Sequence, residues 1–282
     1  MHELAFRIVN VFTQNGGRLT GNPLCVFENA TSLDTATMQA LARQFNLSET
    51  TFVLPSSRAT AQVRIFTPSY EMQFAGHPTL GTAHVCRALG LGGDDLKLDM
   101  QAGIIPVQAK GDRWTLQANA PTWRACEASR AKLAKMLGLS ESDIGREPLW
   151  VKAGKEQLIV PLTSERAVRS ARPDASTFAD VLNEDGQSMA YVFAELAQPD
   201  RLLSRFFFPV GSAVLEDPAT GSATANLGGW MIATGRKLPS HFEISQGEYA
   251  DRPSTLLLDV DGDGRIFVSG DVIELARGKL QV

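Results

Sequence analysis

The sequence predicts an α+β protein of two related halves, each a barrel-like set of strands around one buried helix. Three observations predict it. Many short apolar stretches separated by turn residues read as strands, helices are few, and no βαβ alternation points to a doubly wound sheet. A two-block pattern occurs twice in the same order. Arg64-Ile-Phe66-Thr-Pro68 returns as Arg205-Phe-Phe207-Phe-Pro209, and His77-Pro78-Thr-Leu-Gly81-Thr-Ala83 returns as Asp217-Pro218-Ala-Thr-Gly221-Ser-Ala223, at offsets of 141 and 140 residues. Such a repeat marks two copies of one unit. Finally, the stretches after both copies, from Pro78 to Cys86 and from Pro218 to Gly235, carry no charge and are rich in small residues. A helix without a polar face has no side to show to water, and glycine lets strands approach it closely.

The elements follow in order. In the first half, residues 1–118, strands are expected at 6–12 and 24–27, with turns at Asn15-Gly16-Gly17 and Gly21-Asn22-Pro23. Residues 32–45 read as an amphipathic helix, because Leu33, Met38, Leu41, Ala42 and Phe45 recur at helical spacing. Strands follow at 51–54 and 62–66, then a central helix near 78–89, then strands at 96–100, 104–109 and 113–118. The second half, residues 119–282, restarts with a helix at 129–137 that ends at Gly138. Strands at 149–151, 157–161, 189–196, 202–208, 255–260 and 265–269 surround a second central helix near 218–234. Whether the last strand returns to the first half stays open.

Composition narrows the function. With 282 residues, 44% of them hydrophobic and 21% charged, the chain can bury a sizeable core. The formal net charge is −4 and the basic residues are scattered, which argues against a nucleic-acid partner. No stretch is apolar and charge-free enough to span a bilayer, and the opening residues, with Glu3 and Arg7, do not read as a secretory leader. Cys25, Cys86 and Cys126 are odd in number and far apart, which suits a reducing cytoplasm rather than a disulfide framework. Neither a Walker sequence nor a Gly-x-Gly-x-x-Gly follows a strand, so no nucleotide cofactor is indicated. No metal site is expected either. Asp259-x-Asp261-x-Asp263-Gly264 matches the first half of a calcium loop, but Gly270 stands where a bidentate Glu is needed, and a hairpin turn fits better. His77 and His84 are two helical turns apart, about 10 Å, too far to share an ion; His84 reads as a core histidine.

The two repeats carry the candidate chemistry. Pro78 and Pro218 suit the first turn of a helix, where a missing N–H costs nothing, and this places His77 and Asp217 at the N-caps. Helix N-termini attract anions through unpaired N–H groups and the helix dipole. Two such helices in one cleft would suit a carboxylate substrate.

Several segments resemble the PhzF-like phenazine-biosynthesis family, which shares the diaminopimelate epimerase fold. They are GNPLCVF (21–27), LSETTFVLP (47–55), RIFTPSYEMQFAGHPTLGTA (64–83), EDPATGSATA (216–225) and QGEYADRPS (246–254), spread over nearly the whole chain. The resemblance implies a cofactor-independent isomerase, often a homodimer, acting on a small carboxylate metabolite. It implies Glu49 as the acid/base group, with His77 and Asp217 binding and polarising the substrate. Ser48, Gly76, Gly221 and Ser222 would hold its carboxylate or hydroxyl groups. Two departures stand out. Epimerases of this fold use a cysteine pair, and neither helix start carries one here, so two-thiol racemisation is excluded. Asp251 stands where many relatives have Gly before Arg-Pro-Ser. Two rival readings are a serine hydrolase built from Ser222, His77 and Asp217, and a protein that binds a metabolite without turning it over.

Overall fold

Short strands, not helices, carry the fold. The computed structural model describes residues 3–282 and separates into two units: the chain up to Gln117 together with Ser269–Val282, and Ala118–Val268. In the first, β1 (Glu3–Val11) pairs antiparallel with β2 (Asn22–Phe27), and α1 (Thr35–Phe45) leads to β3 (Glu49–Leu54), parallel to β2. Next, β4 (Ala61–Phe66) lies antiparallel to β3 and makes a hairpin with the two-residue β5 (Glu71–Met72). After α2 (Gly76–Ala88) the chain returns as β6 (Asp95–Met100), parallel to β4, then β7 (Gly103–Lys110) and β8 (Arg113–Gln117), each antiparallel to the one before.

The second unit repeats that grammar. After β9 (Thr122–Ala125) and α3 (Arg130–Leu137), β10 (Leu149–Lys152) pairs antiparallel with β11 (Glu156–Pro161). Short helices α4 (Glu165–Ser170) and α5 (Ala175–Phe178) lead to β12 (Ala190–Glu195), parallel to β11. There follow β13 (Arg201–Val210), its hairpin partner β14 (Ala213–Asp217), helix α6 (Gly221–Ala233), then β15 (Ser240–Gln246), parallel to β13, and β16 (Ser254–Val260). The 16-residue β17 (Ile266–Gln281) starts in the second unit and from Ser269 belongs to the first. There it pairs with both β1 and β8 and closes a ring of eight: β1, β2, β3, β4, β6, β7, β8 and β17. The α+β class read from the sequence holds.

In each unit the strands pack around a helix that carries no charged side, α2 inside the ring and α6 against β9, β10, β11 and β16. In α2 every residue from Gly76 to Ala83 is buried, and the helix packs on β1, β2, β3, β4, β6 and β8. Gly81 is needed for that fit: a Cβ there would lie 2.7 Å from Leu24 and 2.9 Å from Val11. In α6, Gly229 is pressed between Pro121 and Val151, where a Cβ would meet both at 2.7 Å. Outside the rings, α1 covers a phenylalanine cluster in which Phe27 and Phe52 stack at 4.9 Å, and α3, α4 and α5 cover Trp150, Leu158 and Val192. Each fully buried large apolar side chain contributes about 1.5–3 kcal/mol, so these outer layers matter as much as the rings.

The sequence repeat has a structural counterpart in each unit. Arg64 on β4 donates two hydrogen bonds to Glu71 on β5, at 2.7 and 2.6 Å, and lies over the Phe66 ring. Arg205 on β13 does the same to Glu216 on β14, at 3.0 and 2.6 Å, over Phe207. An arginine two residues before an aromatic thus ties each strand to its hairpin partner.

Some expectations need correcting. The first helix starts at Thr35, because Asp34 accepts from the Thr37 N–H and so caps it. Neither His77 nor Asp217 is an N-cap. Helix α2 starts at Gly76 after Ala75, with His77 as its second residue, and α6 starts at Gly221 after Thr220, while Asp217 ends β14. Pro78 still fits as the third residue, since the first-turn N–H groups lie outside the helical ladder. The Asp259–Gly264 segment is a hairpin turn as expected: the Asp261 carboxylate accepts from the Asp263 and Arg265 N–H groups, both at 2.9 Å. His84, expected in the core, is only half-buried, its Nδ1 accepting from the buried Trp114 indole at 3.3 Å. Among the described residues, no helix is long and apolar enough to cross a membrane.

Candidate active site

The head of α2 gathers the first unit's chemistry. Glu49 opens β3, and the parallel register sets it beside Leu24, one residue after Pro23 of the GNP segment. Gly21 makes that approach possible: its φ is +80°, and a Cβ there would lie 2.5 Å from the Val11 carbonyl oxygen. Inside the ring, His77 presents Nε2 to Glu49 Oε2 at 3.4 Å. The imidazole is only 6% exposed and also hydrogen-bonds the backbone of Pro23. Proline has no N–H, so the ring must donate to the Pro23 carbonyl. Nε2 has no hydrogen-bond partner, which leaves Nδ1 as the donor and Nε2 as a bare lone pair aimed at Glu49. Burial pushes the His77 pKa down to about 3, outweighing the Pro23 hydrogen bond. The ring therefore stays neutral around pH 7.

Two neighbours complete this end. Gly76 is buried as the first helical residue, and Ser48 is exposed on the bend before β3. Tyr70, half-exposed on the β4–β5 turn, has its phenol pKa raised by burial first and by the Glu49 charge second. Tyr70 and Pro23 were not singled out as site residues in the sequence, although both lie inside the quoted segments 64–83 and 21–27.

The head of α6 is built differently. Asp217 Oδ2 accepts from the Thr220 hydroxyl, and the Asp217 carbonyl accepts from Gln246 Nε2 at 2.9 Å. Ser222, the second helical residue, accepts from Gln157 Nε2 at 3.1 Å, and Gln157 Oε1 in turn accepts from Asn226 at 2.8 Å. Gly221 is buried at the first position. Asp251 lies at φ 53°, ψ 25°, a left-handed conformation that Asp tolerates better than most residues. Thr220, Gln157 and Gln246 were missed, although Gln246 opens the QGEYADRPS segment.

The thiols can be set aside on their own surroundings. Cys25 and Cys86 are buried, and burial raises both pKa values, Cys86 to about 12; Cys126 is also raised, mainly by burial. None is poised as a thiolate.

The family model of phenazine biosynthesis-like proteins (PhzC-PhzF) matches residues 9–278. The chain belongs to this family. An uncharacterized isomerase of Pasteurella multocida is 38% identical over 282 residues, covering 99% of this chain and 94% of its own. A trans-2,3-dihydro-3-hydroxyanthranilate isomerase of Pseudomonas chlororaphis is 36% identical over 279 residues, covering 93% and 94%. The crystal structure of a PhzF-family phenazine biosynthesis protein of Bacillus anthracis covers 100% of both chains with a TM-score of 0.87 at 24% identity, a likeness of fold. This member of the phenazine biosynthesis-like family is an isomerase, in line with the relatives that carry that name.

Proposed function

We propose that this isomerase moves a proton between two carbons of a small carboxylate-bearing metabolite, without a cofactor, using Glu49 as acid and base. One observation carries the reading: the half-buried Glu49 carboxylate faces, at 3.4 Å, a neutral imidazole whose only free nitrogen is an acceptor. The Glu49 carboxylate takes a proton from a carbon acidified by adjacent unsaturation, and the C–H electron pair moves into the neighbouring π system. Glu49 is then a neutral acid. His77 Nε2 can accept a hydrogen bond from it and so steadies the protonated form until the proton is returned at the second carbon. The imidazole contributes no positive charge, because it is neutral.

Asp217, with Ser48, Gly76, Gly221 and Ser222, is assigned to substrate binding. A cyclic amino carboxylic acid of the kind named for the Pseudomonas relative is the first substrate to try. The hydrolase reading gains no support. The Ser222 hydroxyl takes a hydrogen bond from an amide, not a base, and Asp217 is engaged by a threonine hydroxyl. The test is turnover of trans-2,3-dihydro-3-hydroxyanthranilate and related acids in deuterated water, read by solvent deuterium entering the product. Wild-type protein should turn over and exchange, and Glu49→Gln should bind but do neither. Binding without exchange by the wild type would favour a metabolite-binding protein instead.

A further inference from the structure

The start of α6 gives up a stabilising contact. Thr220 occupies the N-cap, a place where threonine ordinarily accepts a hydrogen bond from a first-turn N–H. It makes no such bond. Its hydroxyl donates to Asp217 Oδ2 instead, so the helix start goes uncapped while one carboxylate is held.

Gln246 decides which way that hydroxyl points. It is 2% exposed, and its described side-chain hydrogen bonds go to this segment. Its Oε1 accepts from the Thr220 backbone N–H at 3.3 Å, and its Nε2 donates to the Asp217 carbonyl and to Thr220 Oγ1, both at 2.9 Å. Turning the amide over would set N–H against N–H and oxygen against oxygen, so its orientation is fixed by chemistry. Because Nε2 can only donate, Thr220 Oγ1 must accept from it, and the single hydroxyl hydrogen is left for the acceptor-only carboxylate. The next residue locks the arrangement. Gly247, at φ +83°, lies so close to the Asp217–Thr220 segment that a Cβ would sit 2.4 Å from the Pro218 oxygen.

We propose that Gln246 and Thr220 are positioning residues, a one-way relay of hydrogen bonds that holds the Asp217 carboxylate ionised and in one orientation. Its bearing on catalysis rests on the role assigned to Asp217 above. The relay itself does not, and can be measured without a substrate. The charged and titratable groups on the elements around Asp217 are Glu216 and Arg205, which pair with each other, Arg201 and Glu243, which also pair, His241 of β15, and Glu248, Asp251 and Arg252 of the following loop. All of them stay in place in the variants that follow.

The experiment follows the Asp217 carboxyl by carbon-13 NMR through a pH titration of the full chain. Thr220→Val, close in shape but without the hydroxyl, should raise the Asp217 midpoint by about one pH unit or more, the usual worth of a hydroxyl bond to a carboxylate. Thr220→Ser should restore it. Gln246→Leu frees the hydroxyl to turn away and should raise the midpoint by a smaller amount. A folded Thr220→Val protein with an unmoved Asp217 titration overturns the relay, as does Gln246→Leu leaving the hydroxyl bond intact. Separately, Asp217→Asn with wild-type turnover would overturn the role given to Asp217 and, with it, the relay's part in catalysis, whatever the titration shows.

Discussion

The heads of α2 and α6 start from the same framework and end with different chemistry. In both units a strand with an Arg-x-aromatic pair is tied to its hairpin partner by an arginine–carboxylate bond, and a helix of small residues follows. In the first unit three residues separate β5 from the helix, and His77 is the second residue of that helix, fixed by Pro23 and facing Glu49. In the second, β14 runs on through Asp217, paired with Phe206, and three residues intervene before the helix starts. With the same three-residue link in both, one unit places a buried neutral imidazole inside its helix and the other a half-buried carboxylate at the end of its strand. The scaffold repeats, and the side chains set on it differ.

The sharpest way to break the comparison is by rate. Glu49→Gln should lower turnover by about 10²–10⁴-fold or more, since it removes the proton carrier. Asp217→Asn, which removes a charged hydrogen-bonding group but no shuttle, should cost about 10- to 100-fold. Steady-state rates with deuterium exchange decide this, and a Glu49→Gln protein keeping more than about a tenth of wild-type exchange would leave Glu49 without the assigned role.

Stability comes next. The Arg205–Glu216 pair is more deeply buried than Arg64–Glu71, with side-chain exposures of 7% and 10% against 22% and 19%. Arg205→Met should therefore cost about 3–5 kcal/mol, as for one broken partner of a buried pair. Arg64→Met should cost less, about 1–3 kcal/mol. Urea unfolding would show the order, and equal losses would mean that burial does not separate the two.

Gly81→Ala tests how tightly the first ring grips its helix. The added methyl should cost about 1–3 kcal/mol by overpacking against Leu24 and Val11, more than alanine's helix preference of about 1 kcal/mol returns. A more stable variant in thermal unfolding would show that the ring has slack.

The smallest effect is a pH dependence found in one unit only. His77 has its folded pKa pushed down, so below about pH 6.5 the unfolded chain takes up a proton that the folded one refuses. Stability from this group is present above that pH and is lost as pH falls towards 3. Unfolding midpoints should then fall faster with acid in the wild type than in His77→Gln, by at most about 1.4 kcal/mol per pH unit. Parallel curves would contradict the buried neutral assignment.

Much of this was legible in the sequence because the repeat and the charge-free helices leave strong marks. The rest was hidden for physical reasons. β5 has two residues and α5 has four, too short for any periodicity to register. β15, Ser-His-Phe-Glu-Ile-Ser-Gln, alternates in burial, but only Phe242 and Ile244 are apolar, and Gln246 is buried for its hydrogen bonds. β17 was read as five residues instead of sixteen, since its far half carries Arg277, Gly278 and Lys279 and is largely exposed. At the site, Pro218 pointed to a helix start that the strand pairing of Asp217 with Phe206 forbids.

That long last strand has a consequence for how the protein comes into being. The ring around α2 is shut by residues from Ser269 on, which are synthesised after the whole second unit. Until they arrive, β1 and β8 each present an unpaired edge, and α2 lacks one of its staves. An open edge invites pairing with another chain. The first unit therefore stays an open barrel for the length of the whole second unit's synthesis, with two strand edges awaiting β17.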